Sequence, residues 1–276
     1  MLEKFIYENH LGQRFEGLGN GVFLNANDLR DYSWSYDTIN NRISRFYRSI
    51  KPRKLPLVIC CASDDEALKV KNRLYEIAEA DIVAEKAGKV YIGDYYTKGY
   101  ITESKKSSYL IDKRYCKLDL TLTSDDSAWY KETTHVFKPD SKGENSIIGG
   151  ADYPFDYAFD YAFATNGSAL MCDSVEGSAF KLLIYGYAIN PTIGIGGHFY
   201  TVEGTIGAGE TLLIDSVSKT ITLTTATGKK VNWFDKRGRT HYIFESIPAG
   251  RNIISWNGEF GFDLTIVEKR SEPKWT

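Results

Sequence analysis

The stretch that most constrains the fold runs from Thr205 to Trp256, TIGAGETLLIDSVSKTITLTTATGKKVNWFDKRGRTHYIFESIPAGRNIISW, where short apolar runs are separated by turn-forming clusters at nearly even intervals. Leu212 and Ile214 point one way while Thr211, Leu213 and Asp215 point the other, and Ile221 with Leu223 repeats the pattern against Thr220, Thr222 and Thr224. Between the runs lie Ser216–Lys219, Ala226–Lys229 with Gly228, Lys236–Arg239 with Gly238, and Pro248–Asn252 with Gly250, residues that free or pre-set φ. Such spacing predicts antiparallel strands stacked in two sheets, a small β-sandwich. Nothing here has the spacing of a metal site or a nucleophile, so the segment is expected to be a contact surface.

The chain's 276 residues are enough for two ordinary cores. Its net charge of −2 excludes a protein that binds nucleic acid mainly through phosphates. No apolar run approaches the roughly 20 residues that cross a bilayer, and Met1–Asn20 lacks the basic start and apolar centre of a Sec-type signal. Cys60, Cys61, Cys116 and Cys172 form no C-x-x-C pair and are expected to be reduced, buried thiols. The 19 Tyr and 5 Trp against 2 Met suit β-structure and broad protein contacts better than a helical bundle.

The chain before the sandwich reads as a mainly β, α+β domain over residues 1–132. Asp31–Ile39 alternates, with Tyr32, Trp34, Tyr36 and Thr38 on one face. After an Asn40-Asn41 turn, Ile43–Ile50 returns as its partner. Leu57–Cys61 is a continuous apolar run and predicts a central strand covered on both faces. Ser63-Asp64-Asp65-Glu66 has the form of a capping box and opens a helix to about Ala80 with Ala67, Val70, Leu74, Ile77 and Ala78 facing inward. Arg114–Thr123 alternates most cleanly, Cys116, Leu118, Leu120 and Leu122 inward. Residues 133–150 are polar, broken by glycines, and read as a linker or projecting arm; residues 151–276 form the second domain. Near its start, Asp152–Phe163 is a short aromatic repeat expected to close a core or dock on the first domain.

Motifs for chemistry are weak. Gly194-Ile195-Gly196-Gly197 lacks the strand, helix and third glycine of a dinucleotide site and reads as a turn. His10, His135, His198 and His241 are singletons, and no acidic pair among 36 Asp and Glu is distinguished as a glycosidase pair. No cofactor, metal or catalytic residue is expected. One charge run stands out: Arg42, Arg45, Arg48, Lys51, Arg53 and Lys54, with Phe46 and Tyr47 between them and no acid. It is a candidate contact patch for an acidic subunit surface or for nucleic acid, or a charge-guarded strand edge. Trp233 and Trp256 are candidates for sugar stacking, with core filling as the other reading.

The order of features adds a resemblance. Tyr32-Ser33-Trp34-Ser35-Tyr36, the capped helix after Ala62-Ser63-Asp64, Leu122-Thr123-Ser124-Asp125-Asp126, Asp152–Tyr157 and Ile189-Asn190-Pro191-Thr192-Ile193 follow one another, and Gly207–Asp215, Pro248–Ile253 and Arg270–Trp275 close the chain. In this order, over nearly the whole length, the sequence resembles the distal tail protein family of long-tailed bacteriophages. The resemblance implies an N-terminal domain that assembles into a ring, usually a hexamer, and a C-terminal sandwich like a galectin or carbohydrate-binding module. It implies a place at the distal end of the tail in the virion, between the tail tube protein and a tail-tip hub protein, with a channel for DNA in transit and receptor-binding proteins attached around it. Members that bind saccharide tend to carry an extra inserted module, for which this chain has no room. A structural hub without catalysis is the first expectation. A carbohydrate-binding adhesin acting through the second domain is the second, and a glycan-cleaving enzyme ranks last.

Overall fold

The computed structural model describes residues 4–19, 21–108, 112–139 and 168–275. Among the described residues the protein is mainly β with one α-helix. It divides into two compact units, Met1–Lys131 with Lys269–Thr276, and Glu132–Glu268.

In the first unit, strand Arg53–Cys60 is flanked by Val22–Leu24 and Tyr115–Thr123, all antiparallel. The long strand Tyr95–Ser107 serves two neighbours. Its first half pairs with Gly88–Ile92 and its second half with Tyr115–Thr123, across a register shift at Thr121/Leu122. Phe5–Glu8 and Arg14–Glu16 extend the sheet from Gly88–Ile92. The inward faces, Phe5, Tyr7, Leu55, Leu57, Ile59, Leu118, Leu120 and Leu122 among them, enclose one core with Trp129 fully buried in it. Trp129 donates its indole N–H to the Leu29 carbonyl at 3.2 Å, which satisfies its single polar atom.

Helix Asp64–Ala84 begins where the capping box predicts: Ser63 accepts from the Glu66 N–H at 3.3 Å, while the Glu66 carboxylate reaches one residue further back and accepts from the Ala62 N–H. It runs one turn beyond the expected end at Ala80 and stops where Glu85 turns left-handed, at φ 53°. The extra turn carries Asp81, continuing the buried series Ala67, Leu74, Ile77. An acid on that stripe interrupts the apolar pattern from which the helix end was read.

The second unit is a sandwich. One sheet runs Lys230–Asn232, Thr220–Thr224, Thr211–Asp215, Ala179–Tyr185 and, within this unit, residues 261–268 of strand Gly261–Arg270; the other runs Ser168–Cys172, Gly250–Ser255, Thr192–Ile195, His198–Thr201. The alternation in the sequence is the burial pattern observed: Leu212, Ile214, Ile221 and Leu223 meet Phe180, Leu182, Ile184 and Leu264 from their own sheet and Ile193, Ile195 and Ile254 from the other. Gly196 and Gly197 form the hairpin turn between Thr192–Ile195 and His198–Thr201, both at positive φ. Gly196 also lies so close to the Asn252 side chain that a Cβ would collide with it.

Four expectations are corrected. Residues 269–276 belong to the first unit, not to the second domain. Residues 133–137, expected as linker, complete strand Trp129–Phe137; their polar sequence hides a strand whose neighbour, Gly261–Arg270, supplies the pairing. The outer face of Arg53–Cys60 is only half covered, Pro56 and Val58 being half-buried and Cys60 exposed. Cys60 is thus not a buried thiol, whereas Cys61, Cys116 and Cys172 are, and none of the four is in a disulfide. The rest of the expected arm, 140–150, and the aromatic repeat, 152–163, lie outside the described residues.

Candidate functional site

Between Val22–Leu24 and Arg53–Cys60 the first unit sends out a separate two-stranded hairpin, Ser35–Ile39 with Arg42–Tyr47. Asn40 and Asn41 make its turn with φ 49° and 61°, the pair of positive values that a tight right-twisting hairpin turn requires and that asparagine tolerates well. Ile39 opposes Arg42, Thr38 opposes Ile43 and, past a shift at Asp37/Thr38, Tyr36 opposes Phe46. The Tyr36 and Phe46 rings meet edge-on at 6.4 Å between centroids.

Neither face of this hairpin is covered. Every residue of Arg42–Tyr47 is exposed, and Tyr36 (57%), Ile39 (65%), Ile43 (52%) and Phe46 (59%) present large apolar groups to solvent. A patch of that kind marks an interaction surface. Its root is anchored. The Arg48 guanidinium lies 4.3 Å over Trp34 and donates to the Ser271 hydroxyl at 3.1 Å. From the same C-terminal tail, Trp275 stacks under Arg30 at 4.0 Å, and Arg30 donates to the Pro273 carbonyl at 3.0 Å. Asp126 ties the tail's start, accepting from Lys269 and from the Tyr130 hydroxyl, each at 2.6 Å. Burial raises the Asp126 pKa, yet the hydrogen bonds from Lys269 and Tyr130 outweigh it and hold the carboxyl below its ordinary range. Tyr130 is pushed the other way, first by burial and then by its bond to Asp126.

The six bases of the run do not share one exposed face. Arg42 and Arg45 stand on the exposed hairpin, Arg48 is spent on Trp34 at the root, and Lys51 and Lys54 are exposed below it. Arg53 is a correction: it is buried at 2% exposure, donates to the Ser127 carbonyl at 2.6 Å and lies 5.8 Å from the Trp129 ring centre. Burial lowers its pKa, opposed by Asp31, Asp126 and Asp28 nearby. Alternation puts Arg53 on the same inward face as Leu55, Leu57 and Ile59, which the charge run concealed.

Trp233 and Trp256 are half-buried rims of the sandwich core. Trp256 donates to the Phe260 carbonyl at 3.2 Å and meets the rings of Phe137 and Phe262 edge-on; Trp233 packs against Gly204, where a Cβ would come within 2.9 Å of the indole.

One cluster escaped the sequence. Buried Asp81 accepts from the Tyr7 hydroxyl at 2.5 Å and from the His10 backbone N–H at 2.8 Å, with the His10 ring nitrogen Nδ1 at 2.6 Å. Burial, then Asp81, drives the Tyr7 pKa far above its ordinary value. The available signal was an acid in register with Leu74 and Ile77. The cluster joins the N-terminal hairpin to the last turn of the helix. Among the described residues no group of three or more His, Cys, Asp or Glu is placed to hold a metal ion, and no helix is long and apolar enough to cross a membrane.

No protein-family model matches the sequence, and no curated protein matches it. Solved structures do. The chain is similar to the SPP1 Dit protein, described as a paradigm of the hub adsorption apparatus in Gram-positive infecting phages, with TM-score 0.60 and 10% identity over 98% of this chain and 100% of that one. It is also similar to a chain of the phage P2 baseplate in its activated conformation, with Ca or with Sr, at TM-score 0.58 and 14% identity over 99% of this chain and 100% of that one. At such identities the likeness is one of fold.

Proposed function

We propose that this protein is a structural hub subunit at the distal end of a phage tail, in the virion. Copies close into a ring, six in number, that joins the tail tube protein to a tail-tip hub protein, keeps a channel open for DNA in transit and gives receptor-binding proteins a seat around it. It carries out no catalysis; its side chains serve shape. The observation that carries this reading is the correspondence of fold with the SPP1 hub protein over 98% of this chain and the whole of that one. The uncovered hairpin of the first unit supports it, because apolar side chains at such exposure gain stability only when another surface covers them.

Light scattering and negative-stain imaging of the purified full chain test it. Closed rings with a central hole are expected, and a monomer at every concentration would sink the ring. An adhesin acting through the second unit draws no support from Trp233 and Trp256, whose rings are engaged with core residues. A glycan array on the full chain that gave binding lost in Trp233→Ala and Trp256→Ala would reverse that order.

A further inference from the structure

The helix carries a second stripe. Leu68, Asn72, Tyr75, Glu79 and Ile82 recur at steps of four and three on the side opposite the buried Ala67, Leu74, Ile77 and Asp81. Leu68 (46%), Tyr75 (63%), Ile82 (40%) and neighbouring Val83 (77%) are exposed. The charges on the solvent side are mainly acidic: with Asp81 buried, five acids stand against three bases from Asp64 to Ala84. Two of those bases are drawn aside, Lys71 to the Lys113 carbonyl at 2.6 Å and Arg73 to the Arg14 carbonyl at 3.2 Å. Lys69 borders the stripe, and Asp65, Glu76 and Glu79 stand exposed along it.

The hairpin is the complement of this stripe. It offers Tyr36, Ile43 and Phe46 with the exposed Arg42 and Arg45 alongside, against the single acid Asp37 opposite Arg45, and Lys51 and Lys54 are exposed below it. Among the described residues no hydrogen bond, ion pair or ring contact joins the hairpin to the helix of its own chain. The chain enters strand Arg53–Cys60 from the hairpin and leaves it for the helix, so the hairpin's root and the helix's first turn are separated by about 25 Å of strand.

We infer that the hairpin Ser35–Tyr47 of one copy lies along the outer stripe of helix Asp64–Ala84 of the next. The inference rests on the ring proposed above and assigns its contact. Two different surfaces that fit one another, and not themselves, make a head-to-tail interface, the kind that closes into a ring when the rotation per copy divides a full turn. The apolar groups supply area; the opposed charges set orientation and exclude hairpin-to-hairpin pairing.

Charge exchange tests it on the full chain. The hairpin variant Arg42→Glu/Arg45→Glu and the helix variant Glu76→Lys/Glu79→Lys change only exposed side chains, so each keeps the wild-type circular dichroism and melting temperature. Each alone is expected to need at least about tenfold more protein for half-assembly, as read by light scattering. Mixed in equal amounts they are expected to assemble again as alternating copies, because basic hairpin then meets acidic helix and acidic hairpin meets basic helix. A wild-type ring that neither variant disturbs, or two defective variants that fail to rescue one another, overturns the hairpin-to-helix contact and leaves the hub reading standing. A wild-type chain that never assembles overturns both.

Discussion

The two units spend their apolar residues differently. In the second unit the exposed large apolar side chains, such as Met171, Val175, Ile189, Val217 and Ile253, are scattered along the chain, the ordinary state of a protein surface. In the first unit they are gathered: eight fall between Tyr32 and Ile50, and four more follow on the outer side of the helix. Both units bury a full core with the same strand alternation. The difference therefore lies outside the cores, and it favours the first unit as the contact surface of the ring proposed above.

Four measurements break or sharpen this contrast, in order of expected effect. Trp129→Ala removes the largest buried ring of the first core and leaves Arg53 without its aromatic neighbour; it is expected to cost about 3–5 kcal/mol in urea unfolding. A cost near zero would mean that this core is not the one that holds the unit together. Asp81→Ala strips the buried acceptor from Tyr7 and His10 and is expected to cost about 3 kcal/mol, with hydrogen exchange speeding up in Phe5–Glu8 and the last helical turn.

Asp126→Asn is smaller, about 1 kcal/mol at pH 7, because the pair with Lys269 is partly exposed and screened. Its sign with pH follows from a native pKa lowered by Lys269 and Tyr130 against burial: the stabilisation is present above the ordinary carboxylate pKa of about 3.9 and is lost as pH falls through the lower native value. Wild type and Asp126→Asn should differ at pH 7 and converge in acid; a difference that survived in acid would place the effect in packing. Least of all, Tyr36→Ser/Phe46→Ser should move stability by no more than about 0.5 kcal/mol, since those rings touch mainly each other. A loss above about 2 kcal/mol in the monomer would show that the hairpin is covered by its own chain, and the contrast between the units would fail.

Much of the fold was legible, for local reasons. Period-two alternation located Thr211–Asp215, Thr220–Thr224 and Tyr115–Thr123, and the Ser63–Glu66 box located the start of the helix. The hairpin could be read from Asn40-Asn41. Its isolation could not, because alternation looks the same whether or not a face is covered. The run Arg42–Lys54 was legible as charge but not as geometry: strand parity turns Arg53 inward beneath Trp129 while Arg42 and Arg45 stay in solvent. Strand Trp129–Phe137 was cut short for a related reason. Lys-Glu-Thr-Thr-His has no period of its own, and only its neighbour makes it a strand.

The sequence by itself determined the elements: where strands alternate, where turns release φ and where a helix is capped, since each depends on residues a few positions apart. Tertiary structure alone decided which alternating faces are covered, that the C-terminal tail returns to the first unit, that Arg53 is buried and that Asp81 gathers Tyr7 and His10. Those outcomes depend on contacts between residues 71 to 243 positions apart, and local pattern carries no information about them.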